Sequence, residues 1–418
     1  MKVLVLTHRL PFAPNRGDRV RAYHIIRQLA RHASVHVVSL VHDDAEAAEV
    51  ETMRRDGLTV TTARVSRARN LVRGAAGLLS STPLTHLLLD SPEMRGAIDE
   101  SLRDGDPDVV LAYCSGMARF AMEPPLNRFP FVLDLVDVDS GKWADFAAVA
   151  SGPKRWLYRR EARCLAAFEA TAARRAIATT VVTAREADAL RTLCPDARAH
   201  VISNGVDLQY LAPTEPAAKD PEVVFTGVFS YAPNADGAVW FARSVWPRIK
   251  ARMPSARLTL AGASPLRRVQ QLAESDPSIV VTGFVKDIRP YLWRSAVAVA
   301  PLFEARGLQN KVLEAAAAGL PSVVTSAVWA GLPPQGRAAC RLANDPEPFA
   351  SAILDLLAMT PDERRAVANM ADLASLNWPA CLAPMGALIE SAARRTSPAS
   401  GTEVSPSVDN SLPLPIGL

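Results

Sequence analysis

The chain has 418 residues and a mass of 44.9 kDa, more than one ordinary core supports, and it suits two domains of roughly 100 to 200 residues with an appendage. Hydrophobic residues make up 49% and charged residues 22%, which is the composition of a packed globular protein and excludes wholesale disorder or a fibrous repeat. The formal net charge of only +4 argues against a nucleic-acid partner bound through a broad phosphate footprint.

The cysteines and the apolar runs bear on cellular location. The five cysteines are odd in number and scattered, with no CxxC pair, so we expect no zinc site, redox dithiol or disulfide framework and infer a reducing compartment. The first apolar run ends at His8 and Arg9 and is too short for a secretory signal. No later run approaches the about 20 residues of a membrane-spanning helix. These features predict a cytoplasmic protein.

The first half of the chain alternates short apolar runs with helical patterns. Apolar runs predict strands at 3 to 7, 35 to 41, 108 to 114, 131 to 138, 179 to 183 and 200 to 207. Helical spacing predicts helices at 20 to 32 and 154 to 176. Strands without interspersed polar residues indicate a parallel sheet covered on both faces. We therefore predict a Rossmann-like N-terminal domain over residues 1 to 205.

A second cycle follows a polar, Pro-rich linker at 212 to 222. It predicts strands at 223 to 227, 257 to 262, 279 to 283, 296 to 301 and 321 to 326, with helices at 236 to 252, 287 to 294, 308 to 319, 346 to 359 and 361 to 374. We predict a second Rossmann-like domain over 206 to 372, a closing helix within 373 to 395 and a disordered tail at 396 to 418. The predicted class is α/β, with two doubly wound domains whose strand ends face a central cleft.

The loop after the first strand, HRLPFAPNRGDRVR, lacks the GxGxxG of a dinucleotide-binding turn, which argues against a dehydrogenase. Its glycine permits close backbone approach, and the following helix start with its arginines suits an anionic or hydroxyl-rich group. An ordinary solvated turn capped by Asp18 is the alternative. The candidate binding residues of this loop are Asn15, Arg16, Gly17, Asp18 and Arg21.

In the second half, the segment PLFEARGLQNKVLEAAAAGLPSVVT combines a strand end, a polar loop and a helix start. A glycine turn, outward backbone amides and two cations beside the helix dipole predict a diphosphate cradle. The residues concerned are Arg306, Gly307, Leu308, Gln309, Asn310 and Lys311. Glu314 follows on the helix, where its oxygens can accept hydrogen bonds from the diol of a ribose; the alternative is an ordinary carboxylate favoured by the helix dipole.

The run NKVLEAAAAGLPSVVT resembles the signature helix of the retaining GT-B glycosyltransferases of family 4. The segments ISNGVD and GFVKDIRPYLWRSAVAVAP agree with that family in order and position. The N-terminal loop, VLDLVDVDSGKW and FSYAPNADGAVWF are similar to the sugar transferases of bacterial exopolysaccharide systems of the PEP-CTERM/EpsH type. The resemblance covers about residues 1 to 385.

The resemblance implies roles for individual residues. Glu314 matches the family's second glutamate, which binds the nucleotide ribose, whereas Arg306 stands where the family has its first glutamate. The resemblance implies catalytic roles for Arg306, Lys311 and Glu314. It also implies that these three residues contact the donor, together with Gly227, Val285, Gly307, Leu308, Gln309 and Asn310. It implies acceptor contacts from Asn15, Arg16, Gly17, Asp18, Arg21, Asp137 and Asp139.

The expected activity is transfer of a sugar from a nucleotide-diphosphate sugar to a saccharide or lipid-linked acceptor, without a cofactor. The nearest match to a metal-binding DxD is Asp137 with Asp139, and we expect no metal there. Two alternatives stay open: a GT-B sugar-nucleotide 2-epimerase, and a non-enzymatic sugar-binding protein. Basic stretches around residues 64 to 73 and 154 to 163 suit peripheral contact with the inner face of the cytoplasmic membrane, or else form a solvated face with an arginine paired to Glu161.

Overall fold

The computed structural model describes residues 1–12, 17–214, 216, 218–305 and 308–395. The predicted tail at 396 to 418 lies outside these residues. Two parallel sheets organise the described chain. No helix in this part of the chain combines the length and the apolar character needed to cross a bilayer.

The first sheet has seven parallel strands in the order β3-β2-β1-β4-β5-β6-β7. They are β1 (Lys2–Thr7), β2 (Ser34–Val41), β3 (Thr59–Arg64), β4 (Val109–Tyr113), β5 (Phe131–Val136), β6 (Ala178–Val181) and β7 (Ala199–Val201). Helices cover both faces: α1 (Gly17–Leu29), α2 (Asp44–Ala48), α3 (Val50–Arg55), α4 (Arg67–Ala76), α5 (Leu84–Leu88), α6 (Met94–Ser101), α7 (Ser115–Ala121), α8 (Asp139–Val149), α9 (Gly152–Arg175) and α10 (Ala184–Leu193), with 3-10 turns at Gly77–Leu79 and Leu126–Arg128.

The second sheet has six parallel strands in the order β10-β9-β8-β11-β12-β13. They are β8 (Glu222–Thr226), β9 (Arg257–Ala261), β10 (Ile279–Gly283), β11 (Val297–Ala300), β12 (Ser322–Val324) and β13 (Cys340–Leu342). The helices are α11 (Leu208–Leu211), α12 (Ala232–Trp240), α13 (Trp246–Arg252), α14 (Arg267–Ser275), α15 (Arg289–Trp293), α16 (Asn310–Ala317), α17 (Ser326–Gly331), α18 (Pro334–Arg337), α19 (Pro346–Leu357) and α20 (Pro361–Ala368); a π turn, Phe241–Val245, joins α12 to α13.

The last helix, α21 (Trp378–Arg394), follows a 3-10 turn at Ala374–Leu376 and returns to the first domain. Its buried residues Leu382, Met385 and Ile389 pack in the same core as α1 and the first sheet. The ring of Trp378 stacks on His24 of α1 at a centroid distance of 4.3 Å. The chain thus crosses between the domains twice, near residue 205 and near residue 377.

The two crossings lie side by side. The amide of Val206 donates a 2.8 Å hydrogen bond to the carbonyl of Leu376. A Cβ on Gly205 would lie 2.5 Å from both N and Cα of Trp378, so a larger residue at 205 would push the crossings apart. This contact holds the two crossings together at the junction of the domains.

Candidate functional site

Among the described residues, three non-glycine residues have a left-handed backbone, and each lies where a parallel strand ends. Cys114 follows β4 with φ 71°, Val136 ends β5 with φ 68°, and Ser264 lies three residues beyond β9 with φ 52°. This conformation is costly for a residue with a Cβ, and it persists where surrounding structure enforces it, commonly at functional sites. The carboxyl edges of both sheets therefore carry a strained backbone, and it is at these edges that doubly wound sheets bind ligands.

In the second domain, the side chain of Lys311 crosses from α16 to the loop that follows β8. Its Nζ donates a 2.6 Å hydrogen bond to Oδ1 of Asn234, in the first turn of α12. The Asn234 amide is oriented by its own Nδ2, which donates to the carbonyl of Val228 at 2.9 Å. The ring of Phe225 lies 4.9 Å from the same ammonium. These contacts hold a cation at the turn between β8 and α12.

Two glycines let the backbone approach this ammonium closely. A Cβ on Gly227 would lie 2.9 Å from Nδ2 of Asn234 and 3.2 Å from Nζ of Lys311. A Cβ on Gly262, whose φ is +151°, would lie 1.8 Å from the carbonyl oxygen of Gly227. The loops after β8 and β9 therefore pack backbone against backbone beside Lys311, and a larger residue at 262 would force them apart.

Burial shifts the pKa values of the two charged side chains on α16, Lys311 and Glu314. It lowers the pKa of Lys311 to about 7, and the opposing effect of Glu314 is smaller. Glu314 lies three residues further along α16; burial raises its pKa, and Lys311 opposes that change. A desolvated lysine whose partner is a neutral amide gains by binding an anion. Lys311 and Glu314 thus place a cation and a hydrogen-bond acceptor side by side, which suits a phosphate next to a diol.

The other predicted donor residues lie around the start of α16 and at the end of β10. Gln309 is at the N-cap and does not cap the helix with its side chain, and Leu308 precedes it. Oδ1 of Asn310 is buried and has no hydrogen-bond partner within the described residues. Val285 is half-buried, two residues beyond the end of β10. Arg306 and Gly307 lie outside the described residues.

In the first domain, Asp137 and Asp139 follow β5, at the carboxyl edge of the sheet. Burial raises the pKa of Asp137 to about 6, with further increases from the nearby Glu186 and Asp139. Burial also raises the pKa of Asp139, and Lys142 partly opposes the change. Oδ1 of Asp137 is buried without a hydrogen-bond partner in the described part of the chain. The carboxyl edge of the first sheet therefore contains an unsatisfied hydrogen-bond acceptor.

Two further acidic side chains lie at the carboxyl edge of the first sheet, and the sequence analysis did not predict them. Oε2 of Glu186, from α10, accepts a 2.7 Å hydrogen bond from the amide of Val138. Glu169, from α9, accepts from the amide of Ser140 at 3.3 and 3.4 Å, and burial raises its pKa to about 8. Glu186 thus binds the backbone between β5 and α8, and Glu169 binds the first turn of α8. Within the described ranges, no group of three or more His, Cys, Asp or Glu side chains is placed to hold a metal ion.

Arg21, predicted among the acceptor residues, is buried beneath this edge with 1% of its surface exposed. Its Nε and Nη2 donate to the two carboxylate oxygens of Asp134 at 2.7 and 3.1 Å, and its Nη1 donates to Oδ1 of Asn204 at 3.0 Å. The hydroxyl of Thr180 also donates to Asp134, at 2.7 Å. The guanidinium joins α1 to β5 and to the first domain crossing. Because it is buried, it cannot contact a bound sugar acceptor in this conformation.

The rest of the N-terminal loop is described only in part. Helix α1 begins at Gly17, while Asn15, Arg16 and the side chain of Asp18 lie outside the described residues. The sequence analysis missed a buried carboxylate here. Glu46, 2% exposed, pairs with Arg9 and Arg19 and accepts a 2.9 Å hydrogen bond from the amide of His42. These contacts tie the ends of β1 and β2 to the first turn of α1.

Comparisons with known proteins agree with the layout of two sheets. Residues 16–205 match the family model "Glycosyl transferase 4-like domain", and residues 220–359 match "Glycosyl transferases group 1". The two matches span most of the chain, one for each domain. No curated protein sequence matches the chain significantly.

Solved structures share the fold at low sequence identity. Sucrose-phosphate synthase from Thermosynechococcus elongatus superposes with a TM-score of 0.69 at 18% identity, over 94% of this chain and 99% of that one. HepE from Anabaena, in complex with UDP and glucose, gives 0.66 at 14% identity, over 94% and 100%. WaaG, a glycosyltransferase involved in lipopolysaccharide biosynthesis, gives 0.63 at 16% identity, over 93% and 99%.

Proposed function

The chain belongs to the GT-B glycosyltransferases of the family 4 type, and from this membership we propose its substrates and stereochemistry. It moves a sugar from a nucleoside-diphosphate sugar to a saccharide or lipid-linked acceptor, with retention of anomeric configuration, in bacterial exopolysaccharide synthesis. The observation that carries the donor class is the Lys311 ammonium, held by Asn234 against the glycine turn at Gly227.

The donor diphosphate is bound by Lys311 and by the backbone at the start of α16, where the helix dipole favours an anion. Glu314 accepts hydrogen bonds from the ribose of the nucleotide. The UDP and glucose bound to HepE, which shares the fold, support a nucleoside diphosphate as the leaving group. Residues 227 to 237, which follow β8, contain no Lys or Arg, and Lys311 brings a basic group to this loop from α16.

Transfer breaks the bond between the anomeric carbon and the diphosphate oxygen and forms a bond from that carbon to an acceptor oxygen. Positive charge develops on the sugar and negative charge on the departing diphosphate. The protonated Lys311 and the helix start are already in place to stabilise the negative charge, which is commonly the largest contribution in such sites. The departing phosphate oxygen takes the proton of the acceptor hydroxyl on the same face, so no separate base is needed.

Arg306 stands where the family has its first glutamate, and we propose that it adds a second cation at the diphosphate. On this proposal Arg306→Ala abolishes binding of the nucleoside diphosphate. Charge neutralisation then comes from side chains, and activity is expected to withstand a chelator such as EDTA. At the acceptor end, Asp137 and Asp139 accept hydrogen bonds from acceptor hydroxyls.

We propose a cytoplasmic location for this reaction. All five cysteines are free in the structure, which supports a reducing compartment. A lipid-linked acceptor would bring the enzyme to the inner face of the cytoplasmic membrane.

The experiment that tests the proposed function measures release of nucleoside diphosphate from UDP-, GDP- and ADP-sugars, with and without glycan or lipid-linked acceptors. The account predicts release that requires acceptor and is lost in Lys311→Met. Conversion of the sugar nucleotide without acceptor would instead indicate the 2-epimerase. Binding without turnover across a broad acceptor panel would indicate a sugar-binding protein.

A further inference from the structure

The first domain carries an apolar surface that nothing in the described chain covers. Five large apolar side chains are exposed on two segments: Leu71 and Val72 on α4, Leu79 on the 3-10 turn that follows it, Val149 at the end of α8 and Trp156 on the first turns of α9. Leu79 is 95% exposed and Val72 is 72% exposed. Single exposed apolar residues are common, whereas a group on neighbouring elements marks an interaction surface.

Arg160 holds the two segments together. Its Nε donates to the carbonyl of Leu78 at 2.8 Å, and its Nη2 donates to the carbonyls of Gly77, Ser80 and Thr82 at 2.6 to 2.9 Å. Trp156 lies one helical turn before Arg160 on α9, so the two share a helix face. This places the start of α9 next to the turn that carries Leu79.

The neighbouring α5 is fastened to the same helix. The buried Glu161 accepts 2.8 Å hydrogen bonds from the amides of Leu84 and Thr85 and a 2.7 Å bond from the Thr85 hydroxyl. A Cβ on Gly77 would lie 2.2 Å from a methyl carbon of Leu87. The turn with its exposed Leu79 is therefore fixed in place by buried polar contacts, and its exposure is a property of the folded domain.

The segments that carry these apolar residues are rich in basic side chains. Residues 66 to 82 and 148 to 160 contain no Asp or Glu and carry seven basic side chains, Arg67, Arg69, Arg73, Lys154, Arg155, Arg159 and Arg160. Arg69 and Arg73 pair with Asp90, and Arg160 is buried against Glu161. Lys154, Arg155 and Arg159 are exposed and form no ion pair with any described residue. Apolar side chains ringed by cations are complementary to an anionic lipid surface, since they enter the interface while the cations meet head groups.

From this combination we infer that the surface formed by α4, the turn at Gly77–Leu79 and the start of α9, which we call the α4–α9 face, docks the enzyme on an anionic phospholipid bilayer. Trp156 and Leu79 enter the interface, and Lys154, Arg155 and Arg159 meet the lipid phosphates. The face lies near the carboxyl edge of the first sheet, where we place the sugar acceptor. Helix α4 begins three residues after the end of β3, and the ends of β2 and β3 lie beside each other in the sheet.

This inference extends the proposed function, since docking would bring a lipid-linked acceptor to the cleft, but it is tested by binding alone. The experiment is flotation of the full chain with vesicles of phosphatidylcholine, with and without phosphatidylglycerol. We expect binding only to the vesicles that contain phosphatidylglycerol, weakened by salt. In Leu79→Glu/Trp156→Glu we expect a loss of vesicle affinity on the order of tenfold or more, because the two apolar groups that would insert into the bilayer interface become anionic.

Matched variants separate docking from general effects of charge. Met370→Glu changes a side chain that is 64% exposed on the second domain and is expected to bind vesicles like the wild type. Arg155→Gln/Arg159→Gln is expected to lose about tenfold or more in affinity for anionic vesicles, whereas Arg103→Gln/Arg243→Gln, at exposed positions elsewhere, is not. Circular dichroism confirms that each variant is folded.

Equal binding to neutral and anionic vesicles, no binding, or full binding by Leu79→Glu/Trp156→Glu would overturn the inference. Self-association of the wild type that the same double variant abolishes, without vesicle binding, would assign the face to a protein contact instead. In all of these outcomes, acceptor-dependent release of nucleoside diphosphate with a water-soluble acceptor would leave the proposed function standing.

Discussion

The ammonium of Lys311 and the side-chain amide of Asn234 are joined by a 2.6 Å hydrogen bond across 77 residues of sequence. Each residue lies in the first turn of its helix, α16 and α12, so the bond links two helix starts at the same edge of the second sheet. Because its partner is a neutral amide, no carboxylate hydrogen-bonded to the Lys311 ammonium competes with an anionic ligand.

Removing the amide is expected to weaken donor binding without unfolding the domain. In Asn234→Leu, the lysine loses the acceptor that aims it at the Gly227 turn, and a hydrogen bond to a charged group contributes about 1.5 to 3 kcal/mol. We expect the dissociation constant for the sugar nucleotide to rise about tenfold or more by calorimetry. Asn369→Leu, at an exposed position in the same domain, is the control, and an equal effect of both variants would refute the positioning role.

Donor binding is expected to depend on pH through Lys311. Its pKa is about 7 in the free protein, and a bound diphosphate raises it because the opposite charge favours the protonated form. The contribution of Lys311 to affinity is therefore complete below pH 7 and is lost as pH rises through the pKa of the complex. With a sugar nucleotide, whose phosphates do not titrate in this range, affinity should fall up to tenfold per pH unit above about pH 7.

Calorimetry in buffers of different ionisation enthalpy measures how many protons the protein takes up when the sugar nucleotide binds. Binding at pH 8 should take up close to one proton per complex, and binding at pH 6 close to none. A dissociation constant that stays constant from pH 7 to 9, with no proton uptake, would contradict a role for Lys311 at the diphosphate.

The close approach of the loops after β8 and β9 gives a prediction with an internal control. In Gly262→Ala the new Cβ would lie 1.8 Å from the carbonyl oxygen of Gly227, so we expect a loss of about 3 kcal/mol in the free energy of unfolding, as for an overpacked site, together with weaker donor binding. Gly283→Ala also has a left-handed backbone, φ +69°, but nothing lies within 4 Å; it should lose only about 1 kcal/mol. Urea unfolding of both variants decides this, and equal losses would contradict the account.

The buried pair of Arg21 and Asp134 gives a prediction about stability. Arg21→Met leaves the Asp134 carboxylate buried without its partner, which is expected to cost about 3 to 5 kcal/mol in the free energy of unfolding. Arg27→Met, which breaks the exposed pair with Asp56, should cost less than about 1 kcal/mol. In whatever Arg21→Met protein remains folded, the KM for acceptor should be unchanged. A raised acceptor KM with normal stability would restore the acceptor role that the sequence predicts.

Much of the fold follows from the sequence because its buried parallel strands are short apolar runs between helical patterns. The predicted strands at 35 to 41 and 279 to 283 are found at Ser34–Val41 and Ile279–Gly283. The strands that the sequence analysis missed, β3 and β13, lie at the outer edges of their sheets. An edge strand such as TVTTAR is paired on one side only and lacks the continuous apolar run that signals a central strand.

The site is less predictable because its contacts join residues that are distant in sequence. Lys311 and Glu314 stand out through the helix start that carries them, but nothing near Asn234 shows that it faces a lysine 77 residues away. Arg21 looks like a ligand-binding cation because it follows a glycine loop, yet its helix turns it inwards to Asp134. The position of Glu169 at this edge cannot be predicted from the sequence, because it depends on how α9 packs against the start of α8.

The central claim is that Lys311 holds the diphosphate of a sugar nucleotide, and titration calorimetry with UDP-, GDP- and ADP-sugars at pH 6.5 tests it most directly. The account predicts that one of them binds the wild type and Lys219→Met, at an exposed lysine in the linker. In Lys311→Met it predicts a loss of about 30-fold or more in affinity. Unchanged affinity in a folded Lys311→Met protein would contradict the account.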